Sequence, residues 1–275
     1  MIGWPIEHSL SPAMHNAALR EMGLDWVYLA FAVPPESVGE AVGAVRGLSL
    51  VGLNVTIPHK QAVTEHLDAV DETAEALGAV NTIVWDQDRL IGYNTDGPGF
   101  LRSLEEKGHG VEGKRVALIG AGGAARSVAY AVARAGAGAL RVLNRTAQRA
   151  DEVAQLAAER GGLSDIEAGG LTGRRAEAAV READVVVDCT PVGMFPQVDE
   201  GPVIPEEWLR RGQVVVDLTY NPLQTTLLRA AAARGARTVD GAGMLVHQGA
   251  ISLEHWSGRR PPVATMRRAL LGELT

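Results

Sequence analysis

Apolar positions along the chain come in two kinds of stretch. Short runs rich in β-branched residues read as buried strands, and longer stretches with apolar residues every three or four positions read as amphipathic helices. Over the first hundred residues the pattern predicts a strand stub at Ile2, a helix over 13–22 ended by Gly23, and a strand-like run over 26–33. Ser11 before Pro12 has the form of an N-cap followed by a first helical residue. A weak helix follows Pro34-Pro35 to about Gly47, 51–55 reads as a buried strand of a parallel sheet, and 62–77 is helical in composition. Residues 79–85 and 90–93 predict a hairpin about the tight turn Asp86-Gln87-Asp88. Asn94-Thr95-Asp96-Gly97 reads as a polar loop before a helix over 100–107.

Gly108 to Gly113 is the best linker candidate, and beyond it the pattern changes to strand, glycine turn and helix, repeated. Strands are expected over 115–119, 140–143, 185–187, 214–218 and 237–239, and helices over 124–135, 147–160, 174–182, 244–256 and 263–270. A further helix, capped by Asn221-Pro222, should run to Arg234, and 161–173 carries too little signal to be more than a loop. Alternation of this kind implies α/β architecture with parallel sheets and right-handed crossovers. At 275 residues the length favours about two domains. They are expected over 1–100 and 110–240, with 241–275 returning to the first.

Composition narrows the function classes. With 46% hydrophobic and 21% charged residues the chain can bury a real core, as a soluble globular protein does. A net charge of −7 argues against a nucleic-acid or anionic-membrane partner. The lone cysteine, Cys189, rules out an internal disulfide, fits a reducing compartment, and reads as a small buried side chain. No apolar run reaches the roughly 18 residues of a membrane span and no signal peptide opens the chain, so the expected place is the cytoplasm. The seven histidines show no metal spacing such as H-E-x-x-H, and no metal is expected; His59 reads as a helix-start surface residue.

Two stretches carry chemistry. Val51 to Lys60 is an apolar run that stops at Pro58, with Lys60 two positions on. If Pro58 opens a helix, Lys60 stands in its first turn at the carboxyl end of a strand, the rim where open α/β sheets place their sites. The helix dipole there opposes a cation and favours the neutral amine, which suits a general base; the bland alternative is a solvated surface lysine. The second stretch is Gly120-Ala121-Gly122-Gly123-Ala124-Ala125, which fits G-x-G-x-x-A between a strand and a helix. Such glycines allow a tight turn and the close approach of a pyrophosphate to free helix N–H groups. The next strand ends at Asn144-Arg145-Thr146, with Arg149 one turn on. An acid about 20 residues after the glycines would mark NAD; arginines there match a phosphate, so NADP is expected.

Read in order, the motifs resemble those of the shikimate dehydrogenase family. They are His8-Ser9-Leu10-Ser11-Pro12, Asn54-Val55-Thr56-Ile57-Pro58-His59-Lys60, Gly78-Ala79-Val80-Asn81-Thr82, Asn94-Thr95-Asp96-Gly97 and the glycine turn. Asn144-Arg145-Thr146, Cys189-Thr190-Pro191-Val192-Gly193-Met194, Asp217-Leu218-Thr219-Tyr220-Asn221-Pro222 and Gly241-Ala242-Gly243-Met244-Leu245 to Gln248-Gly249 complete the set. The resemblance implies a substrate-binding N-terminal α/β domain, a Rossmann-like NADP-binding domain, and reversible reduction of 3-dehydroshikimate to shikimate with NADPH in aromatic amino-acid biosynthesis. It implies Lys60 and Asp96 as the catalytic pair, Ser9, Ser11 and Tyr220 on the substrate carboxylate, and Thr56, Asn81, Asp96 and Gln248 on the ring hydroxyls. Around the cofactor it implies Leu218 and Gly241 near the nicotinamide, Thr190 in a loop over it, and Glu72. The chemistry agrees, because an alcohol losing hydride must also lose a proton to a base within hydrogen-bond reach. Asp96 beside Lys60 would favour the ammonium while dipole and burial push the other way, so Lys60 is expected to stay titratable near working pH.

Family members usually carry a full strand before the position of Gly3, where only Met1 and Ile2 stand here; a shortened first strand, or a start inside a longer chain, is expected. Trp4 replaces the small polar residue common there, and nothing in the sequence explains it. Two other readings compete: a quinate/shikimate dehydrogenase of broader substrate and cofactor use, and a silent relative acting as a sensor. Partners are expected to be small molecules, with the chain a monomer or homodimer.

Overall fold

Two residues, Ile2–Gly3, make up the whole first strand, β1, in the computed structural model, which describes residues 1–274. The chain then enters α1 (Ser11–Glu21), with Pro12 in its first turn. Ser11 is the first helical residue and not the cap: Leu10 occupies the cap, and the Ser11 N–H donates instead to Ser9 Oγ (3.3 Å). The strand-like run 26–33 yields only β2 (Phe31–Ala32). One reason is Asn16, whose side-chain amide takes both the N–H and the C=O of Tyr28 (2.8 and 2.9 Å) and so removes them from any ladder.

A 3-10 turn at Pro35–Ser37 leads into α2 (Val38–Gly47), and β3 (Gly52–Asn54) follows. The single helix expected over 62–77 is broken into a 3-10 turn (Ala62–His66), β4 (Ala69–Val70) and α3 (Glu72–Leu77). Asp68 and Asp71 break it: the Asp68 carboxylate accepts from Leu90 N, and Asp71 caps α3 by accepting from Ala74 N (2.8 Å). The hairpin forms as expected from β5 (Thr82–Asp86) and β6 (Arg89–Tyr93), with Gln87 and Asp88 at φ of 46° and 63° in its two-residue turn.

The sheet order is β3-β5-β6-β4. β3 runs antiparallel to β5, which corrects the parallel reading of 51–55; only Val55 forms a parallel bridge, to Ile2. Burial on both faces produces the same apolar run in either direction, so the pattern carries no sign of direction. Val42, Val45, Leu53, Val63, Val80, Ile83 and Leu90 form the core beneath this sheet. Met1–Asp96 and the chain from Val246 onward make up this unit.

Gly97–Leu245 is a second unit, entered within α4 (Asp96–Glu106). It contains β7 (Arg115–Ile119), α5 (Gly123–Arg134), β8 (Ala139–Asn144), α6 (Ala147–Glu159), β9 (Ile166–Gly170), α7 (Arg174–Glu182) and β10 (Val185–Asp188). After them come β11 (Val214–Asp217), α8 (Thr226–Ala233), β12 (Arg237–Val239) and the start of α9 (Ala242–Ser257). All six strands are parallel, in the order β12-β11-β10-β7-β8-β9, so the order reverses between β7 and β10. The loop expected over 161–173 contains β9, an edge strand whose glycines and half-exposed positions leave no apolar period to read. The cap of α8 is Thr225, accepting from Leu228 N (3.3 Å), and not Asn221-Pro222. In the first unit α10 (Val263–Gly272) packs along α1. Among the described residues no helix is long and apolar enough to cross a membrane, and no group of three or more His, Cys, Asp or Glu is placed to hold a metal ion.

Candidate active-site residues

The Lys60 side chain ends in a contact with Asp96, Nζ to Oδ2 at 2.6 Å, with both groups largely out of solvent. Lys60 does not stand in a helical turn. Residues 58–61 form a turn, and only the short 3-10 segment follows, so the helix-dipole argument for a neutral amine does not apply. The turn is held on both sides: Lys60 C=O accepts from Val80 N (2.7 Å), and His59 is buried, not at the surface, with Nε2 on Val33 C=O (2.7 Å).

Asp96 opens α4 and is not in a loop; its N–H donates to Asn94 Oδ1 (3.2 Å). Its second oxygen accepts from Asn81 Nδ2 (2.8 Å), and that amide also donates to Thr95 Oγ1 (3.0 Å). Asn81 Oδ1 accepts from Thr95 N and Thr82 Oγ1 (2.9 and 3.0 Å). Behind it, Tyr28 OH donates to Asn54 Oδ1 (2.6 Å), and Asn54 Nδ2 donates to Asn81 C=O and Ser252 Oγ (both 3.0 Å). Lys60, Asp96 and Asn81 are thus brought together by direct bonds. Asn54, Thr82, Thr95 and Ser252 support them and were not singled out from the sequence. The first three lie inside the quoted motifs, whereas Ser252 carries no local signal.

Gln248 sits half-buried on α9, and its C=O accepts from Ser252 Oγ (3.0 Å), which ties its helix to the Asn81 network. Ser9 donates to Met1 Sδ (3.0 Å) in the loop before α1, and Ser11 is buried at the start of that helix. Thr56 lies over Gly3 and is half-buried. Glu72 is exposed at the first position of α3. Tyr220 belongs to the second unit, where burial raises its phenol pKa.

In the second unit, Gly120 follows β7 with φ of 103°, Ala121 comes next, and Gly122 caps α5. No side chain caps that helix and no acid stands in its first turn, so its leading N–H groups are open to an anion. A Cβ on Gly122 or Gly123 would meet nothing within 4 Å. Protein packing therefore does not require these glycines, and the room beside them, next to Ala124, suits a ligand's phosphates. Asn144 ends β8 and its amide donates to Thr146 C=O (3.0 Å). Arg145 and Arg149 are exposed, with no acidic partner among the described residues. These features fit a dinucleotide carrying an extra phosphate.

At the carboxyl end of the sheet, Asp188 and Asp217 are register partners on β10 and β11, both buried. Asp188 accepts from Thr190 N (2.8 Å), and Asp217 from Thr219 N (2.9 Å) and Thr225 Oγ1 (2.6 Å). Burial, and then the charge of Asp217, push the Asp188 carboxyl up to about 8; burial also raises Asp217. Leu218 N donates to Asp188 C=O (3.0 Å), and a Cβ on Gly241 would fall 2.2 Å from Leu218 O. Thr190, Leu218 and Gly241 thus occupy neighbouring rim loops beside the glycine turn.

A mixed unit holding a lysine–carboxylate couple, and a parallel sheet with a glycine-rich turn at its switch point, are the features of a dinucleotide-dependent α/β oxidoreductase. Three family models match the chain: the shikimate dehydrogenase substrate binding domain over residues 1–83, shikimate / quinate 5-dehydrogenase over 103–219, and the shikimate 5'-dehydrogenase C-terminal domain over 241–271. The chain belongs to the shikimate dehydrogenase family. It is 48% identical to the shikimate dehydrogenase (NADP(+)) of Methanopyrus kandleri, covering 100% of this chain and 94% of that one. Among solved structures it is similar to shikimate 5-dehydrogenase of Thermus thermophilus in complex with NADP(H) and shikimate, with TM-score 0.87, 38% identity and coverage of 98% and 97%. It is also similar to quinate dehydrogenase of Corynebacterium glutamicum in complex with NAD, with TM-score 0.92, 35% identity and coverage of 98% and 97%.

Proposed function

We propose that this protein is an NADP-dependent shikimate dehydrogenase, catalysing the reversible reduction of 3-dehydroshikimate to shikimate in aromatic amino-acid biosynthesis, in the cytoplasm. The observation that carries the reading is the Lys60–Asp96 couple, oriented by Asn81, in a chain whose glycine turn leaves room for phosphates. The first unit is the substrate-binding one and the second the NADP-binding one.

Bound NADPH supplies the hydride for the carbonyl carbon. The Lys60 ammonium donates a proton to the carbonyl oxygen as it becomes an alkoxide, and in the reverse direction the neutral amine takes the hydroxyl proton. Asp96 Oδ2 holds the ammonium, and Asn81 holds the other carboxylate oxygen, so Lys60 Nζ is aimed before substrate arrives. Thr56, Asn81, Asp96 and Gln248 bind the ring hydroxyls; a site built of amides and hydroxyls rejects analogues lacking them. Ser9, Ser11 and Tyr220 take the carboxylate on the strength of the family resemblance. The α5 N-terminus with Gly120 to Ala124 binds the pyrophosphate, and Asn144, Arg145, Thr146 and Arg149 bind the adenosine phosphate. Thr190, Leu218 and Gly241 flank the nicotinamide, and Glu72 is a further cofactor residue by resemblance.

The likeness to a quinate dehydrogenase in complex with NAD supports a second reading, broader use of substrate and cofactor. Arg145 and Arg149 speak against it. Initial rates with shikimate and quinate, each with NADP and NAD, test both readings. Fastest turnover of shikimate with NADP is expected; no reduced nicotinamide from shikimate with either cofactor would sink the first reading and point to a silent relative.

A further inference from the structure

Asp96 is the first residue of α4 and Gly97 the second. Gly97, Phe100 and Leu104 are buried and, at spacings of three and four, share one face of that helix. Phe100 and Leu104 enter the same core as Val128, Ala129 and Val132 of α5. At Gly97 the two helices meet without room for a side chain. A Cβ built there would fall 2.8 Å from Ala131 Cβ and 2.9 Å from the Ser127 carbonyl oxygen. Ser127 and Ala131 stand four apart on α5, so together they form one notch. The Ser127 hydroxyl donates back to Gly123 C=O (3.2 Å), which keeps it on its own helix.

Glycine at residue 97 does nothing for α4 taken alone, because it is a poor helix former and alanine would ordinarily serve better. The close approach is what requires it. Carbon atoms in good contact lie about 3.5–4.0 Å apart, so a methyl group here would push the first turn of α4 back by on the order of 0.5–1 Å. Neither neighbour can turn aside, since one is backbone of α5 and the other a Cβ fixed to that backbone. One residue away is Asp96, whose carboxylate meets Lys60 Nζ at 2.6 Å and Asn81 Nδ2 at 2.8 Å. It would move with the turn.

We propose that Gly97 is a positioning residue for proton transfer: by seating the first turn of α4 in the Ser127–Ala131 notch, it sets where the Asp96 carboxylate meets Lys60. The inference rests on the reading of Lys60 and Asp96 as the catalytic couple. A misplacement of about 1 Å can cost about 10²-fold in rate. The residues that bind substrate and cofactor stay as they are, so the loss should fall on kcat and not on KM. Pro98 makes a competing, purely local demand. A proline ring crowds the Cβ of a helical residue before it, and glycine has none.

Steady-state rates of the full chain with shikimate and NADP separate these demands. Gly97→Ala should lower kcat by roughly 10- to 100-fold, with both KM values little changed. Adding Ala131→Gly passes the methyl group from one helix to the other at constant volume. That removes the contact with Ala131 and leaves the one with Ser127 O, so kcat should recover to a value between the other two. Adding Pro98→Ala instead, at an exposed site, relieves only the local crowding and should recover nothing. A native kcat in Gly97→Ala overturns the proposal, as does a loss confined to KM. So does an exchange with Ala131→Gly that is no faster than Gly97→Ala, or recovery through Pro98→Ala. If Gly97→Ala alone does not fold, the exchange decides: kcat below native at unchanged KM supports the proposal, and native kcat overturns it. A native chain that forms no NADPH from shikimate defeats the catalytic reading and this inference with it. A native chain that turns over, with Gly97→Ala equally fast, defeats this inference alone.

Discussion

Lys60 and Asp96 meet through a single carboxylate oxygen, Nζ to Oδ2 at 2.6 Å, while Asn81 occupies the other at 2.8 Å. That division gives the carboxylate one rotation, and with it gives the amine one direction. Lys60→Met removes the proposed proton donor and keeps most of the apolar stem. Turnover of shikimate should fall by about 10²- to 10⁴-fold, the usual worth of a positioned acid or base. Binding of shikimate, read by quenching of intrinsic fluorescence, should change far less. Near-normal turnover would remove Lys60 from the chemistry.

Asn81 is fully engaged, donating to Asp96 and Thr95 and accepting from the Thr95 N–H. Asn81→Ala strands the buried Thr95 and Asp96 groups and lets Asp96 rotate. We expect a loss of about 1–3 kcal/mol in denaturant unfolding, together with a fall in kcat larger than the rise in KM. A loss of stability with kcat intact would make Asn81 structural only.

In the proposed reading Arg145 and Arg149 carry the cofactor choice. The double change to alanine should weaken NADPH binding by roughly 10- to 100-fold, the worth of one or two charge-assisted bonds. NADH binding should hardly move. Equal losses for both, in a fluorescence titration, would mean the arginines do not read the extra phosphate.

Two glycines should respond oppositely to alanine. At Gly122, with φ of −85° and nothing within 4 Å of a new Cβ, stability should stay within about 0.5 kcal/mol, while affinity for NADP(H) drops. At Gly241 a Cβ would sit 2.2 Å from Leu218 O, so the backbone must shift and the melting temperature should fall by several degrees. Thermal unfolding and cofactor titration on the same samples separate the two. An unaltered cofactor affinity in Gly122→Ala would count against the pyrophosphate site.

The pH dependence of stability has two opposed sources. His15 is buried against Tyr28, with both ring nitrogens lacking a hydrogen-bond partner, and burial lowers its pKa to about 3. An unfolded chain protonates this imidazole below about 6.5, which the folded chain refuses. The neutral ring's contribution is therefore whole above 6.5 and is lost as pH falls toward 3. Asp188 behaves inversely: its folded carboxyl keeps its proton to about 8, so its contribution is whole below 3.8 and is lost as pH rises toward 8. Each can reach a few kcal/mol at about 1.4 kcal/mol per pH unit. His15→Phe should thus raise the melting temperature more at pH ~5 than at pH ~8, and Asp188→Asn the reverse. Parallel shifts at both pH values would refute the assignment.

Much of the second unit could be read without a structure. The β7 strand, the turn at Gly120 and the α5 helix announce themselves by an apolar run, a glycine cluster and a helical period, all within twenty-odd residues. The edge strand β9 could not, because glycines and exposed positions give no alternation. In the first unit the misreadings cluster around Lys60. Its turn looked like a helix start because Pro58 suits one, and 62–77 looked continuous because Asp68 and Asp71 act through partners that composition does not show.

By itself the sequence determined the alternation of strands and helices, the glycine-rich turn, and the motif order that places the chain in its family. These depend on residues a few positions apart, whose periods and turn preferences act locally. Only the tertiary structure decided that β3 runs antiparallel to β5, that Lys60 stands in a turn, and that Asn81 links Asp96 to a network reaching Tyr28 and Ser252. The physical reason is distance along the chain. Strand direction and the partner of a buried polar group depend on which remote segments are brought together, and a buried donor such as the Asn54 amide is satisfied by whichever acceptor the fold delivers, here one 198 residues away.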